Sequence, residues 1–113
     1  MEMTQAVQSL SALAQGSRLS IFRLLVAAGP EGMAAGSSGE KLDLPPATLS
    51  FHLAGLTRAG MAKSRQDGRF VIYSADFEGM GRLLAYLTED CCSGKVCVPV
   101  PIQFVTTKQR KRA

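Results

Sequence analysis

The chain has 113 residues, 46% hydrophobic and 19% charged, with no Trp and a formal net charge of +4. That length suits one domain, or one that finishes its core by dimerising, and excludes a two-domain enzyme; no apolar run approaches the roughly 18–20 residues that span a bilayer, and Met1-Glu2-Met3-Thr4-Gln5 lacks the basic and apolar regions of a secretory signal. Three Cys, an odd number, provide no disulfide framework, so a reducing cytoplasm is the expected location, with thiols available to soft metals or redox chemistry.

Met3 to about Ala14 is expected to be a first helix, with Val7, Leu10 and Leu13 at three-residue steps, ended by Gly16. Ser17 is expected to cap a second helix that runs to Ala28 and stops at Gly29-Pro30, with Ile21, Leu24, Leu25 and Ala28 in one stripe. Gly32 to Gly39 is rich in Ala, Gly and Ser and supports a short helix through Ser38–Leu42 only weakly, because each Gly costs about 1 kcal/mol in a helix. Asp43-Leu44-Pro45-Pro46 is a turn that ends as a helix start, and the helix continues to Ala59, with Gly60 just past its end. Two strands, 61–65 and 69–74, flank Gln66-Asp67-Gly68, a hairpin signal. Asp76 caps a last helix to about Asp90, and Val98-Pro99-Val100-Pro101-Ile102 reads as an extended arm.

Short helix, tight turn and second helix make a helix-turn-helix. A two-stranded β-hairpin after it makes the winged version, so the expected fold is α+β and mostly α. The expected organisation is a winged helix-turn-helix dimer domain over residues 1–92 and a C-terminal arm over 93–113. Charge is uneven. Lys108, Arg110, Lys111 and Arg112 hold four of the 13 basic residues, and without them nine basic residues stand against nine acidic ones. The tail reads as a solvated end, whereas Arg58, Lys63, Arg65 and Arg69 against Asp67 alone form a local basic stripe suited to a phosphate backbone.

Leu49, Leu53 and Leu56 lie at i, i+4, i+7 and mark the inward face of the 46–59 helix. Rotation by about 100° per residue puts Ala47, Phe51, Gly55 and Arg58 on the far side, with Thr48 and Ser50 on the flanks. Phe51 on a face without a core suits contact with a thymine methyl group, and Thr48 and Ser50 suit base edges or phosphates. The alternative is that Phe51 packs against a neighbouring helix or a second subunit. His52, the single His, lies nearer the core edge and serves either as a boundary hydrogen-bond partner or as a DNA contact. Arg65 and Arg69 are expected to bracket the hairpin tip and lie on flanking phosphates. In the last helix Phe77, Met80, Leu84, Leu87 and Cys91 follow three-four spacing, the seam of a helix–helix contact. With Val7, Leu10 and Leu13 this points to a twofold homodimer through the first and last helices.

Three phrases, Ser17-Arg18-Leu19-Ser20-Ile21-Phe22-Arg23-Leu24-Leu25, Leu49-Ser50-Phe51-His52-Leu53-Ala54-Gly55-Leu56-Thr57-Arg58-Ala59-Gly60 and Asp67-Gly68-Arg69-Phe70-Val71-Ile72-Tyr73, resemble the ArsR/SmtB family of winged-helix metalloregulators over roughly residues 5–92. The resemblance implies a homodimeric repressor that leaves operator DNA when an effector binds, with Thr48, Ser50 and Phe51 where the family reads the major groove. Among the family's effector sites, one needs Cys near Glu40-Lys41-Leu42-Asp43 and another needs His on the last helix; both lack their ligands here. Cys91, Cys92 and Cys97 resemble the arsenite-responsive subgroup with cysteines at the C-terminal end.

The chemistry agrees. Trivalent arsenic and antimony are thiophilic, and soft thiolates select soft ions. Zinc wants four ligands, and no fourth Cys or nearby His is offered. Methylarsenite needs only two thiols, which leaves Cys97 incidental in that variant; no organic cofactor is expected. Adjacent helical side chains diverge by about 100°, so two adjacent thiols on one arsenic require the last helix to remodel. Such a change shifts recognition helices from the roughly 34–36 Å spacing of successive major grooves. Other readings are ordinary buried thiols, a thiol redox switch on the same scaffold, a DNA-binding protein without an effector, and a small thiol enzyme. The enzyme is disfavoured because Glu89 and Asp90 precede the Cys pair and oppose thiolate formation.

Overall fold

A computed structural model describes residues 1–94. Cys97, the 98–102 arm and the basic cluster at 108–112 lie outside the described residues. The elements are α1 (Met3–Leu13), α2 (Gly16–Ala28), β1 (Met33–Ala34), α3 (Ala35–Leu42), α4 (Pro46–Arg58), β2 (Ala62–Asp67), β3 (Phe70–Ala75) and α5 (Phe77–Thr88), then a 3-10 turn at Cys91–Gly94. The chain divides into two units, Met1–Leu83 and Leu84–Ala113.

In the first unit α2 and α4 pack on each other and on the sheet. Ile21 and Leu25 of α2 and Leu49, Leu53 and Leu56 of α4 are buried, as their spacing predicts. Met61, Ala75 and Leu83 close the core from the sheet and α5. α2 starts two residues earlier than expected. Gln15, not Ser17, caps it: the Gln15 Oε1 accepts from the Arg18 backbone N–H at 2.8 Å, satisfying an otherwise orphaned donor of the first turn.

α3 covers the whole Gly/Ser-rich stretch rather than its end alone. Propensity is overridden by packing. Ser38 and Gly39 are buried, and a Cβ on Gly39 would come within 3.2 Å of both the Leu44 carbonyl oxygen and Leu49 Cδ2. A side chain at this position would push on the turn and on α4, so glycine suits the close approach of α3. Asp43 takes the left-handed conformation, φ 56°, in the turn between them. α4 then begins at Pro46, tolerated because a first-turn N–H has no helical partner anyway.

The expected hairpin wing is β2 and β3, and β1 extends it to a three-stranded antiparallel sheet of order β1-β3-β2. β2 and β3 pair from Ala62↔Ala75 to Asp67↔Phe70, with Gly68 at positive φ in the turn. β1 adds Met33↔Tyr73 and Ala34↔Ile72. Two residues carry no alternation, so β1 had no readable pattern; β3 imposes it by supplying an edge to pair with.

α5 starts as expected, with Asp76 Oδ1 accepting from the Gly79 N–H at 2.9 Å. It ends at Thr88, two residues short of Asp90, and Asp90 stands at φ 59°. Cys91 is therefore outside the helix, in the turn that follows, and not on the α5 seam.

Candidate nucleic-acid interface

α4 carries two chemically different faces. Leu49, Leu53 and Leu56 point into the core, while Ala47, Thr48, Ser50, Phe51 and Arg58 are exposed. Phe51 is 62% exposed. Among the described residues it packs into no core. Its ring meets His52 edge-on, with centroids 5.5 Å apart, and the Arg18 guanidinium lies over it, 5.3 Å from the centroid. Thr57 spends its hydroxyl on the Leu53 carbonyl at 2.8 Å, so the polar groups available on the outer face are those of Thr48, Ser50 and Arg58.

Gly55 sits elsewhere than expected, and His52 takes the boundary role of its two expected ones. His52 is 8% exposed, and its Nδ1 accepts from Arg18 Nε at 3.2 Å. It lies behind the outer face as a hydrogen-bond partner, which removes it from the surface set of DNA contacts. Gly55 is buried rather than outward, because the Arg18 guanidinium covers it. The residue missed in the sequence is thus Arg18. It stands 34 positions from His52, and helical periodicity carries no signal for a contact at that separation.

In the wing, Lys63, Arg65 and Arg69 are exposed. Arg65 pairs with Ile72 in the middle of β2, and its Nη2 donates to the Glu31 carbonyl at 3.0 Å. This corrects its expected place at the tip: the partner carbonyl lies in the loop before β1, and pairing register sets Arg65 two residues back from Asp67. Arg69 occupies the tip, and beside it Phe70 is 59% exposed.

The first helix has two unlike faces. Its small residues Ala6, Ser9 and Ala12 are buried, and Ser9 Oγ donates to the Ala59 carbonyl at 3.0 Å. Val7 and Leu10 are 53% and 42% exposed, Met3 is 68% exposed, and Leu13 is half-buried. These three exposed residues stand at i, i+4 and i+7 and make one outward apolar stripe. On α5, Leu83 and Gly79 are buried, Phe77, Met80 and Leu84 half-buried, and Leu87 53% exposed.

Cys91 is half-buried in the 3-10 turn, and Cys92 follows it there. Among the described residues no three His, Cys, Asp or Glu side chains gather as a metal site. No helix of the described residues is long and apolar enough to cross a membrane.

Residues 13–65 match the helix-turn-helix domain family. The chain is 39% identical over 62 residues to the HTH-type transcriptional regulator YceK of Bacillus subtilis, covering 55% of this chain and 61% of that one. It is 36% identical over 76 residues to a Halobacterium salinarum protein named for an arsenical resistance operon repressor, ArsR, covering 67% of this chain and 58% of that one. The chain thus spans about three fifths of the length of both relatives. Its fold is similar to the homodimeric winged helix-turn-helix DNA-binding domain Mb0332 of Mycobacterium bovis, with a TM-score of 0.64 and 24% identity over 86% of this chain and 90% of that one.

Proposed function

We propose that this chain is a transcriptional repressor of the ArsR/SmtB family of winged-helix regulators and not an enzyme. It binds double-stranded operator DNA as a homodimer and releases it when trivalent arsenic is captured by thiolates of Cys91, Cys92 and Cys97. The observation that carries the DNA part is the outer face of α4: an aromatic side chain 62% exposed, among Thr48, Ser50 and Arg58, on the second helix of a helix-turn-helix. Inserted in a major groove, Phe51 contacts a thymine methyl and the hydroxyls of Thr48 and Ser50 meet base edges or phosphates. Arg69 at the wing tip and Arg58 at the end of α4 supply phosphate contacts, which hold register without reading sequence.

Pairing of two chains is supported by the stripe of Met3, Val7 and Leu10, which no part of the first unit covers, and by exposed Leu87 on α5. The homodimeric state of the M. bovis domain of like fold agrees. A twofold pair presents two α4 helices to half-sites about one helical turn apart.

The effector assignment rests on the donor set. Three thiols within seven residues are soft ligands, suited to As(III) and, by the same chemistry, Sb(III) or methylarsenite. The relative named for arsenical resistance supports the same effector class. Cys91 and Cys92 lie in a 3-10 turn separated from α5 by the left-handed Asp90.

The test is a release titration. The full-length protein is bound to a duplex that it selects from a random pool, and arsenite, antimonite, methylarsenite and zinc are added in turn. Release by the arsenicals or antimonite and not by zinc is expected. Release by peroxide alone overturns the metalloid part in favour of a redox switch; failure to retain any duplex overturns the DNA part.

A further inference from the structure

We propose that Arg18 is a positioning residue for DNA recognition: clamped across α4, its guanidinium fixes the orientation of Phe51 and offers its terminal amino groups to a phosphate of the bound duplex. The proposal rests on the DNA-binding reading above and adds to it a residue of α2, outside the recognition helix and the wing.

The clamp has three parts. Nε donates to His52 Nδ1 at 3.2 Å. The guanidinium covers Gly55 so closely that a Cβ there would lie 2.6 Å from Cζ, 2.7 Å from Nη2 and 2.8 Å from Nη1. The charge also lies over the Phe51 ring at 5.3 Å, the geometry of a cation–π contact. Residues 51, 52 and 55 form one three-four row on α4, so the arginine lies along that row. Its backbone end is fixed as well, through the Gln15 cap at 2.8 Å.

One feature of this arrangement is incomplete. Among the described residues, no carboxylate, carbonyl or hydroxyl accepts from Nη1 or Nη2 of Arg18. A half-buried guanidinium whose terminal donors find no protein acceptor calls for an outside one. The donors stand beside the exposed ring that faces the groove, and a guanidinium fork matches a phosphate's oxygens in a bidentate pair. The acceptor chemistry is therefore a backbone phosphate flanking the base that Phe51 touches. Gly55 is the local condition for this: any side chain there expels the guanidinium from the row.

The experiment measures affinity of the full-length protein for its selected duplex against salt concentration. Each phosphate contact contributes about 0.9 to the slope of log K on log salt. Arg18→Gln is expected to lower that slope by about 2 for a dimer, one contact per subunit. Gly55→Ala keeps every charge but displaces the guanidinium, whose flexible end is the group that yields. It is expected to retain wild-type helix content by circular dichroism, shift the Arg18 Nε–H resonance, and bind the duplex more weakly. A merely structural Arg18 leaves the salt slope unchanged. An unchanged slope in Arg18→Gln, or wild-type affinity in Gly55→Ala, overturns the proposal. Loss of all duplex binding by the wild type overturns the parent reading instead, and the resonance then still reports whether the clamp exists.

Discussion

Truncating Phe51 is expected to separate DNA binding from folding, and Leu53→Ala, two residues on, is the control. Phe51 is 62% exposed, so about two fifths of its surface is out of water in the free protein. At roughly 1.5–3 kcal/mol for complete burial of a large apolar side chain, that amounts to about 1 kcal/mol. Loss of the Arg18 contact adds about 0.5–1 kcal/mol, and the better helix propensity of Ala returns about 0.5 kcal/mol. Phe51→Ala is therefore expected to destabilise the fold by about 1 kcal/mol. Leu53 is 1% exposed, and its truncation is expected to cost about 2–5 kcal/mol. On DNA the order reverses. Loss of a base-pair contact costs about 1–3 kcal/mol, and a dimer loses two, so Phe51→Ala is expected to weaken duplex binding at least roughly thirtyfold. Urea unfolding gives the first quantity and fluorescence anisotropy on the selected duplex the second. A Phe51→Ala protein that unfolds more easily than Leu53→Ala, or binds the duplex as the wild type does, refutes the assignment of the two faces of α4.

Three further outcomes are expected. Val7→Asp places a charge on the outward stripe of α1, where the free chain tolerates it because the position is 53% exposed, but a buried partner face does not; sedimentation is expected to show monomer at concentrations where the wild type is paired, and an unchanged sedimentation coefficient removes α1 from the interface. Gly79→Ala drives a Cβ into the Gly60 carbonyl, a backbone atom that cannot swing aside, and a loss of about 1–3 kcal/mol is expected in thermal melts; wild-type stability contradicts the close approach of α5 to the end of α4. Cys91→Ser is expected to bind the duplex normally and to lose release by arsenite, whose coupling of about 100-fold corresponds to roughly 2.7 kcal/mol; normal release by arsenite takes Cys91 out of the ligand set.

Much of the architecture was readable because it rests on local rules. Leu49, Leu53 and Leu56 repeat with the period of a helix, and that period alone says which side faces the core. Asp67-Gly68 between β-forming runs places the hairpin, and Asp76 marks the start of α5 through its own side chain. α3 and β1 were not readable in the same way. The first is held by close approach of Gly39 to α4, and the second by the free edge of β3; both causes lie in another part of the chain.

The candidate site divides along the same line. The residues on the outer face of α4 follow from its inner face, since a helix with three core leucines has only one side left to present. Gly55 and Arg65 were assigned by rotation or by sequence distance from a turn, and each is displaced from that assignment by a partner the local pattern does not contain: Arg18 for the first, the Glu31 carbonyl for the second. Periodicity records where apolar side chains must be hidden from water. It holds no information on where a long, charged side chain comes to rest, because that depends on which acceptors and gaps the packed helices bring within its reach.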